Sequence, residues 1–359
     1  MIVAYHLIEA FGLDKQNIIK HIALDQGVSC FFVLSGFILS YAYPQLKGPK
    51  ETLRFFIARV ARVWPAHIAT ALLSVCLLHL NIWQPIGKKI PWITLANLTM
   101  THGWILTERS YFSFNAPSWS ISTEFFFYLC FPLLIYNFAK TWKIKIMVAA
   151  LFVLCCFGIS VVVHTSLAHI SLSEIYQRYL YINPLARVFE FVTGMAIFLL
   201  YVQLKGKEPS SKLLTVFEIL IISAIILEVV FISAFMKHYF IHPYTHPYFY
   251  WLRYCGGVLF YAALILILAL GKGLVARMLS NSFFVKLGDI SYSVYLVHWS
   301  ILSIFLLHKN DIFQNLLWLN TSCYCIAVLT AAYFNYTFIE TVCRWKIVSL
   351  GEKLLCRIS

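Results

Sequence analysis

The sequence predicts an all-α protein, a polytopic membrane helix bundle of about ten spans with the first one truncated. Three observations predict it. Of the 359 residues 61% are hydrophobic and only 12% are charged, against roughly 25% charged in a soluble domain, and the mean hydropathy is +0.78. The apolar residues gather in runs of about 20, the length that crosses a hydrocarbon core of about 30 Å. The Lys and Arg lie in short clusters between those runs, as topology signals do. The formal net charge is +13, but basic residues scattered in this way argue against a nucleic-acid partner. The first apolar run has neither the charged start nor the small-residue cleavage site of a signal peptide.

Taken in order, the spans are expected at 2–10, 27–44, 62–82, 119–138, 144–163, 184–203, 213–235, 254–271, 289–307 and 316–338, all in a single membrane domain over 1–359. The first, in "MIVAYHLIEAFG", is about ten residues long and rises only about 15 Å, half a membrane core. The segment 92–106 is apolar but short and holds His102, so it reads as re-entrant or interfacial. Ten cysteines sit mostly inside apolar segments without a Cys-x-x-Cys pair, which suits small packed hydrophobes rather than metal or redox chemistry.

Charge sets the orientation. If the loop after 27–44 is cytoplasmic, alternate loops carry Lys47, Lys50, Arg54, Arg59 and Arg62, then Lys140, Lys143 and Lys145, then Lys205, Lys207 and Lys212, then Lys272, Arg277 and Lys286. The tail adds Arg344, Lys346, Lys353 and Arg357. Most of the 28 basic residues then lie on one side, which the positive-inside rule assigns to the cytoplasm together with the C-terminus.

Ionisable groups within spans are expensive and mark functional positions. The candidates are His6, Glu124, Arg187, Glu190, Glu218, Glu228, Asp289, His298 and Glu340. Arg187 and Glu190, three apart on one helix face, read as a neutralising pair. Asp289 reads as an N-terminal cap, and Glu340, near a membrane end, as a residue that reaches water. Glu218 and Glu228 receive no role. His6 and Glu124 have no such local explanation, since Glu124 in "SWSISTEFFFYLCFPLLI" runs straight into an apolar stretch.

Further along, "GVSCFFVLSGFILSY" sets Ser35, Gly36 and Ser40 in an apolar wall, where small residues permit close approach of a helix or a ligand. "RFFIARVARVWP" puts Arg59 and Arg62 on one helix face, either as phosphate-binding forks or as anchors to anionic lipid. His238, His242 and His246 have metal-like spacing, but Pro243 and Pro247 break that helix. An aromatic interfacial loop is the expectation there, and no metal site.

Together His6, "FFVLSGF", "RVARVWP", "SWSISTEFFFYLCFPLL" and "LGDISYSVYLVHW", in this order, are similar to the acyltransferase-3 family of integral membrane O-acyltransferases. The resemblance implies a ten-helix enzyme of the bacterial inner membrane. Such an enzyme takes an acyl group, usually acetyl, from acyl-CoA and passes it to a hydroxyl of a surface glycan or lipid-linked saccharide. It implies a catalytic His6, and donor handling by Arg59, Arg62, Ser35, Gly36 and Phe37. It also implies a basic residue eleven positions before His6, a position that would precede Met1. Acyl transfer needs a base for the acceptor proton, which imidazole suits, and Glu124 could hold that imidazole as the carboxylate of a triad does. The external stretches 83–118 and 164–183 are expected to meet the acceptor. Two other classes remain open, a membrane transporter and a truncated, non-catalytic relative.

Overall fold

The structure, a computed structural model, describes residues 1–11, 22–77, 90–166, 170–207, 209–239, 246–307 and 317–358. Its helices are α1 (Ile2–Phe11), α2 (Gly27–Ala42), α3 (Gly48–Leu77), α4 (Ile90–Leu98), α5 (Glu108–Tyr111), α6 (Trp119–Ile135), α7 (Phe138–Ser166) and α8 (Leu172–Tyr176). They continue as α9 (Pro184–Leu204), α10 (Ser211–Tyr239), α11 (Pro247–Cys255), α12 (Val258–Ala269), α13 (Leu274–Leu279), α14 (Ser282–Leu307), α15 (Leu317–Phe334) and α16 (Thr341–Ile358). No strand occurs among the described residues. Nine helical stretches among them are long and apolar enough to cross a membrane, and α1 is a shorter apolar helix. The chain is an all-α integral membrane protein.

It divides into two compact units built from interleaved segments. One comprises Met1–Ile2, Asp14–Gln45 and Cys130–Val285, the other Val3–Leu13, Leu46–Leu129 and Lys286–Ser359. In the first, α2 and α9 cross at two glycines. A Cβ on Gly36 would collide with the Phe191 carbonyl oxygen, and a Cβ on Gly194 with that of Val33. Backbones approach this closely only where both residues are small. Beside the crossing Phe37 packs with Val33, Tyr201, Val258, Ala262 and Ile265.

The expected Arg187–Glu190 pair forms, with 2.8 Å between Nε and Oε2, and both side chains are buried. The Arg187 guanidinium also donates to Ser29 Oγ at 3.0 Å and lies over the Phe32 and Tyr181 rings. A buried cation is tolerable only with this degree of pairing. Asp25 and Arg253 make a second buried pair at 2.5 Å. Glu228 accepts from Gln26 Nε2 at 2.8 Å. Glu218, without a role in the sequence, caps α13 by accepting from the backbone N–H groups of Val275 and Ala276 at 2.8 and 3.0 Å. All ten cysteines are free thiols.

In the second unit α3 has 30 residues, about 45 Å of helix and half again a membrane core. Its first half carries Lys50, Arg54, Arg59 and Arg62, and its second half buries Val63, Ala66, His67, Thr70 and Ser74 in one stripe. α16 runs antiparallel to the charged half. Arg54 grips Glu352 there with two bonds of 3.0 and 2.9 Å, and Ile57 packs over Gly351. α1 lays Val3, Leu7, Ala10 and Phe11 on the α14–α15 core of Val297, Ile301, Tyr324 and Val328.

The expected cap at Asp289 is corrected. Asp289 is no cap: α14 starts at Ser282, where Asn281 Oδ1 accepts from Phe283 N at 3.0 Å, so that Asp289 is exposed two turns inside the helix. His242, within 240–245, lies outside the described residues, as does the part of the expected acceptor stretches at 83–89 and 167–169.

Candidate active site

The stripe that docks α1 also carries His6, three residues after Val3 and four before Ala10. The half-buried imidazole lands 5.6 Å from the His298 ring, stacked at 27°, and 4.9 Å edge-on from Trp299. His298 is fully buried on α14, and its Nδ1 is 2.5 Å from the Tyr295 carbonyl oxygen. A carbonyl can only accept, so Nδ1 carries the proton and Nε2 presents a lone pair. That nitrogen has no hydrogen-bond partner among the described residues. Sequence alone marks His298 as an ionisable residue in a span and assigns it no role; its partnership with His6 comes from the docking of α1.

Glu124 enters the same unit on α6. It is 6% exposed and accepts from the Tyr128 hydroxyl at 2.5 Å. Its charge also acts on the Tyr292 and Tyr295 hydroxyls. The polar run before it is absorbed residue by residue. Ser120 Oγ is 2.7 Å from the Tyr295 hydroxyl, which itself donates to the Pro117 carbonyl. Ser122 Oγ accepts from Gly103 N at 3.1 Å, and Thr123 bonds back to the Trp119 carbonyl. Ser, Thr and Glu can therefore share the start of this helix because each faces a different polar neighbour.

Residues 90–118 supply the third polar layer. His67 and His102 stack at 5.6 Å with rings 4° from parallel. His67 Nε2 lies 3.0 Å from the Asn97 carbonyl, and His102 Nε2 lies 3.2 Å from Ser118 Oγ. Burial pushes His102 down to about 3, helped by His67, so it is neutral at physiological pH. Asn115 ties this segment to α3 and α14 through Thr70 Oγ1 at 3.3 Å and the Leu296 carbonyl at 2.8 Å.

Arg59 and Arg62 of α3 are half-buried. The Arg59 charge acts on the Tyr128 hydroxyl. Arg62 forms an ion pair with Glu340 and lies 5.7 Å over the Tyr292 ring. This corrects the expectation that Glu340 reaches water: it is 1% exposed, and its second oxygen accepts from Ser293 Oγ at 3.0 Å. Ser293 in turn accepts from Asn335 Nδ2 at 2.9 Å. Asn335 and Glu340 bound a single π-helical turn, Asn335–Glu340. In an α-helix residues five apart point well away from each other; the i→i+5 repeat of the π turn brings them to one face, where both reach Ser293.

Ser35, Gly36 and Phe37 belong to the other unit. There Ser35 is buried, Gly36 makes the α2–α9 crossing and Phe37 packs on Tyr201 at 5.6 Å. No cluster of three or more His, Cys, Asp or Glu with metal-binding geometry occurs among the described residues.

The acyltransferase-3 family model, described as an acyltransferase domain, matches residues 1–336. The chain belongs to the acyltransferase-3 family. An acyltransferase of Streptomyces mycarofaciens, MdmB, is 33% identical over 107 residues, which are 30% of this chain and 27% of that protein. An uncharacterised protein of Haemophilus influenzae is 28% identical over 127 residues, 33% of this chain and 52% of its own length. The alignments thus span about a quarter and about half of these relatives. No solved structure matches. In this acyltransferase-3 chain the family match takes in His6, Arg59, Arg62, Glu124 and His298, whereas Glu340 lies beyond it.

Proposed function

We propose that the protein is a membrane O-acyltransferase that moves an acyl group, acetyl in the first instance, from acyl-CoA to a hydroxyl of a cell-surface glycan or lipid-linked saccharide. One observation carries the reading: in a chain of this family the half-buried His6 is docked against a second, proton-fixed imidazole, His298, in a helical membrane unit. His6 takes the proton of the acceptor hydroxyl as general base, worth about 10²–10⁴ in rate. The acceptor oxygen forms its bond to the thioester carbonyl carbon and the C–S bond breaks. The leaving thiolate of coenzyme A takes up the proton, so that free coenzyme A and the ester are the products.

Glu124 is the negative charge that favours the transient imidazolium. Arg59 and Arg62 are the phosphate-binding side chains for the donor, with Ser35, Gly36 and Phe37 taking part in donor handling. The segment 90–118 contributes to the acceptor side. The basic loops support an orientation with these arginines and the C-terminus in the cytoplasm, in a bacterial inner membrane.

The test uses a deletion strain of the source organism complemented with the parent chain or with His6→Ala. Cells are fed radiolabelled acetate, and label is counted in the envelope saccharide fraction after mild alkaline release of O-esters. Label restored by the parent and reduced to the deletion level by His6→Ala is the expected result. Equal label from both would overturn a catalytic His6, and solute uptake surviving in His6→Ala would point to a transporter.

A further inference from the structure

The proposed donor side has a feature that phosphate recognition by two arginines does not itself require. A buried carboxylate holds one of them. Glu340 spends one oxygen on Arg62 and the other on Ser293, and Ser293 is held by Asn335 at the opposite end of the π turn. π turns are rare and occur disproportionately at functional sites. Burying a carboxylate to 1% exposure is costly unless both oxygens are paired. Here they are, by partners from two elements, Arg62 on α3 and Ser293 on α14. Arg344, four residues and one helical turn beyond Glu340 on α16, is exposed, and its charge acts on the same carboxylate.

A guanidinium held through one Nη keeps donors on its remaining edge, arranged as a planar fork that matches phosphate oxygens. With Arg344 alongside, the group Arg62–Glu340–Arg344 carries a net single positive charge, of which the negative member is buried and the cations are not. Lys50 and Arg59 on the same half of α3 extend the positive field, whereas the Arg54 charge is offset by Glu352.

We propose that Glu340 is the positioning residue of the donor-phosphate site: it fixes the Arg62 fork and, with Arg344, forms a seat for the diphosphate end of a nucleotide-bearing thioester. The inference rests on the reading of acyl-CoA as donor. The chemistry shared by its possible ligands is a phosphate ester or diphosphate, which a lipid headgroup could also offer.

The experiment measures binding of coenzyme A, ADP and pantetheine to the full chain in nanodiscs, of phosphatidylcholine alone or with phosphatidylglycerol added. The expected result is that Glu340→Ala raises Kd for coenzyme A and for ADP about tenfold, equal to about 1.4 kcal/mol, in both bilayers. Pantetheine, which lacks the diphosphate, should bind the variant and the parent alike. Glu340→Gln, which keeps an acceptor for Arg62, should fall between parent and Ala, and it decides the matter if the Ala variant does not fold. Arg344→Ala should weaken ADP without touching pantetheine. Binding of coenzyme A to Glu340→Ala and Glu340→Gln that is as tight as to the parent, or tighter, would overturn the inference, as would an effect confined to phosphatidylglycerol bilayers. If Arg62→Ala itself left coenzyme A binding unchanged, the donor reading of Arg62 would fail. Weakening by Arg62→Ala but by neither Glu340 variant would remove Glu340 alone.

Discussion

At the scale of single residues, the chain shows which polar groups a sequence reveals and which it conceals. His6 and Glu124 stand out because each interrupts an apolar run: Glu124 has no cation at helical spacing, and His6 has only Glu9, three residues on. Glu340 is inconspicuous near a membrane end; what buries it is Arg62, nearly 280 positions away in the chain and invisible to local spacing. The His298 tautomer is likewise fixed by a backbone carbonyl, and it yields a clean test. Asn at 298 preserves a side-chain donor for the Tyr295 carbonyl, whereas Leu removes that donor from a carbonyl still engaged in the α14 ladder, a loss of about 0.5–1.5 kcal/mol. His298→Leu should therefore lower the unfolding midpoint in detergent clearly more than His298→Asn, and equal losses would contradict the assigned hydrogen bond. His102 gives a pH test. Its folded value of about 3 lies below the ordinary 6.5, so between these values the unfolded chain binds the extra proton and acidification destabilises the fold. Stability should be fully present above about pH 6.5 and decline below it, by at most about 1.4 kcal/mol per pH unit from this group. His102→Gln should flatten that slope in unfolding titrations at pH 7 and 5; an unchanged slope would show that His102 does not contribute.

At the scale of elements, helices are legible wherever apolar runs exceed the membrane core, and their joints are not. The run beginning near 62 is the second half of α3; the charged first half is helical because α16 packs along it, and nothing in its own hydropathy announces that. The π turn at 335–340 is equally hidden, since it matters only through the two side chains it aligns on Ser293. The glycines are half legible. Gly36 is visible as a residue that permits close approach, but its partner Gly194 emerges only from the α2–α9 crossing. Gly36→Ala and Gly194→Ala each force a Cβ into the opposing backbone, and overpacking of this kind costs about 1–3 kcal/mol. A Cβ added at Gly158 in α7 would meet nothing within 4 Å, so Gly158→Ala should be neutral or slightly stabilising. Thermal unfolding of the three variants in one detergent checks this contrast, and a loss for Gly158→Ala matching the others would refute the packing account.

At the scale of the whole molecule, composition alone carries the fold class, because a chain with 12% charged residues cannot cover a water-facing surface. The division into two units, built from segments that alternate along the chain, is not marked in the composition, since both units contain apolar membrane spans. Orientation belongs to this scale, and it decides whether the arginine pair can meet a cytoplasmic thioester at all. Lys205, Lys207 and Lys212 flank the loop between α9 and α10, Arg344, Lys346 and Lys353 lie on α16, and moving such charges to the far face works against the positive-inside preference. A fluorescent protein fused after residue 359 should thus fold and fluoresce in bacterial cells, and alkaline phosphatase fused there should be inactive. The reverse pattern would put Arg59 and Arg62 on the external face with the tail. It would then remove the donor from their reach and leave His6 to serve some other acyl source, so this topology measurement constrains the chemistry as strongly as any point variant.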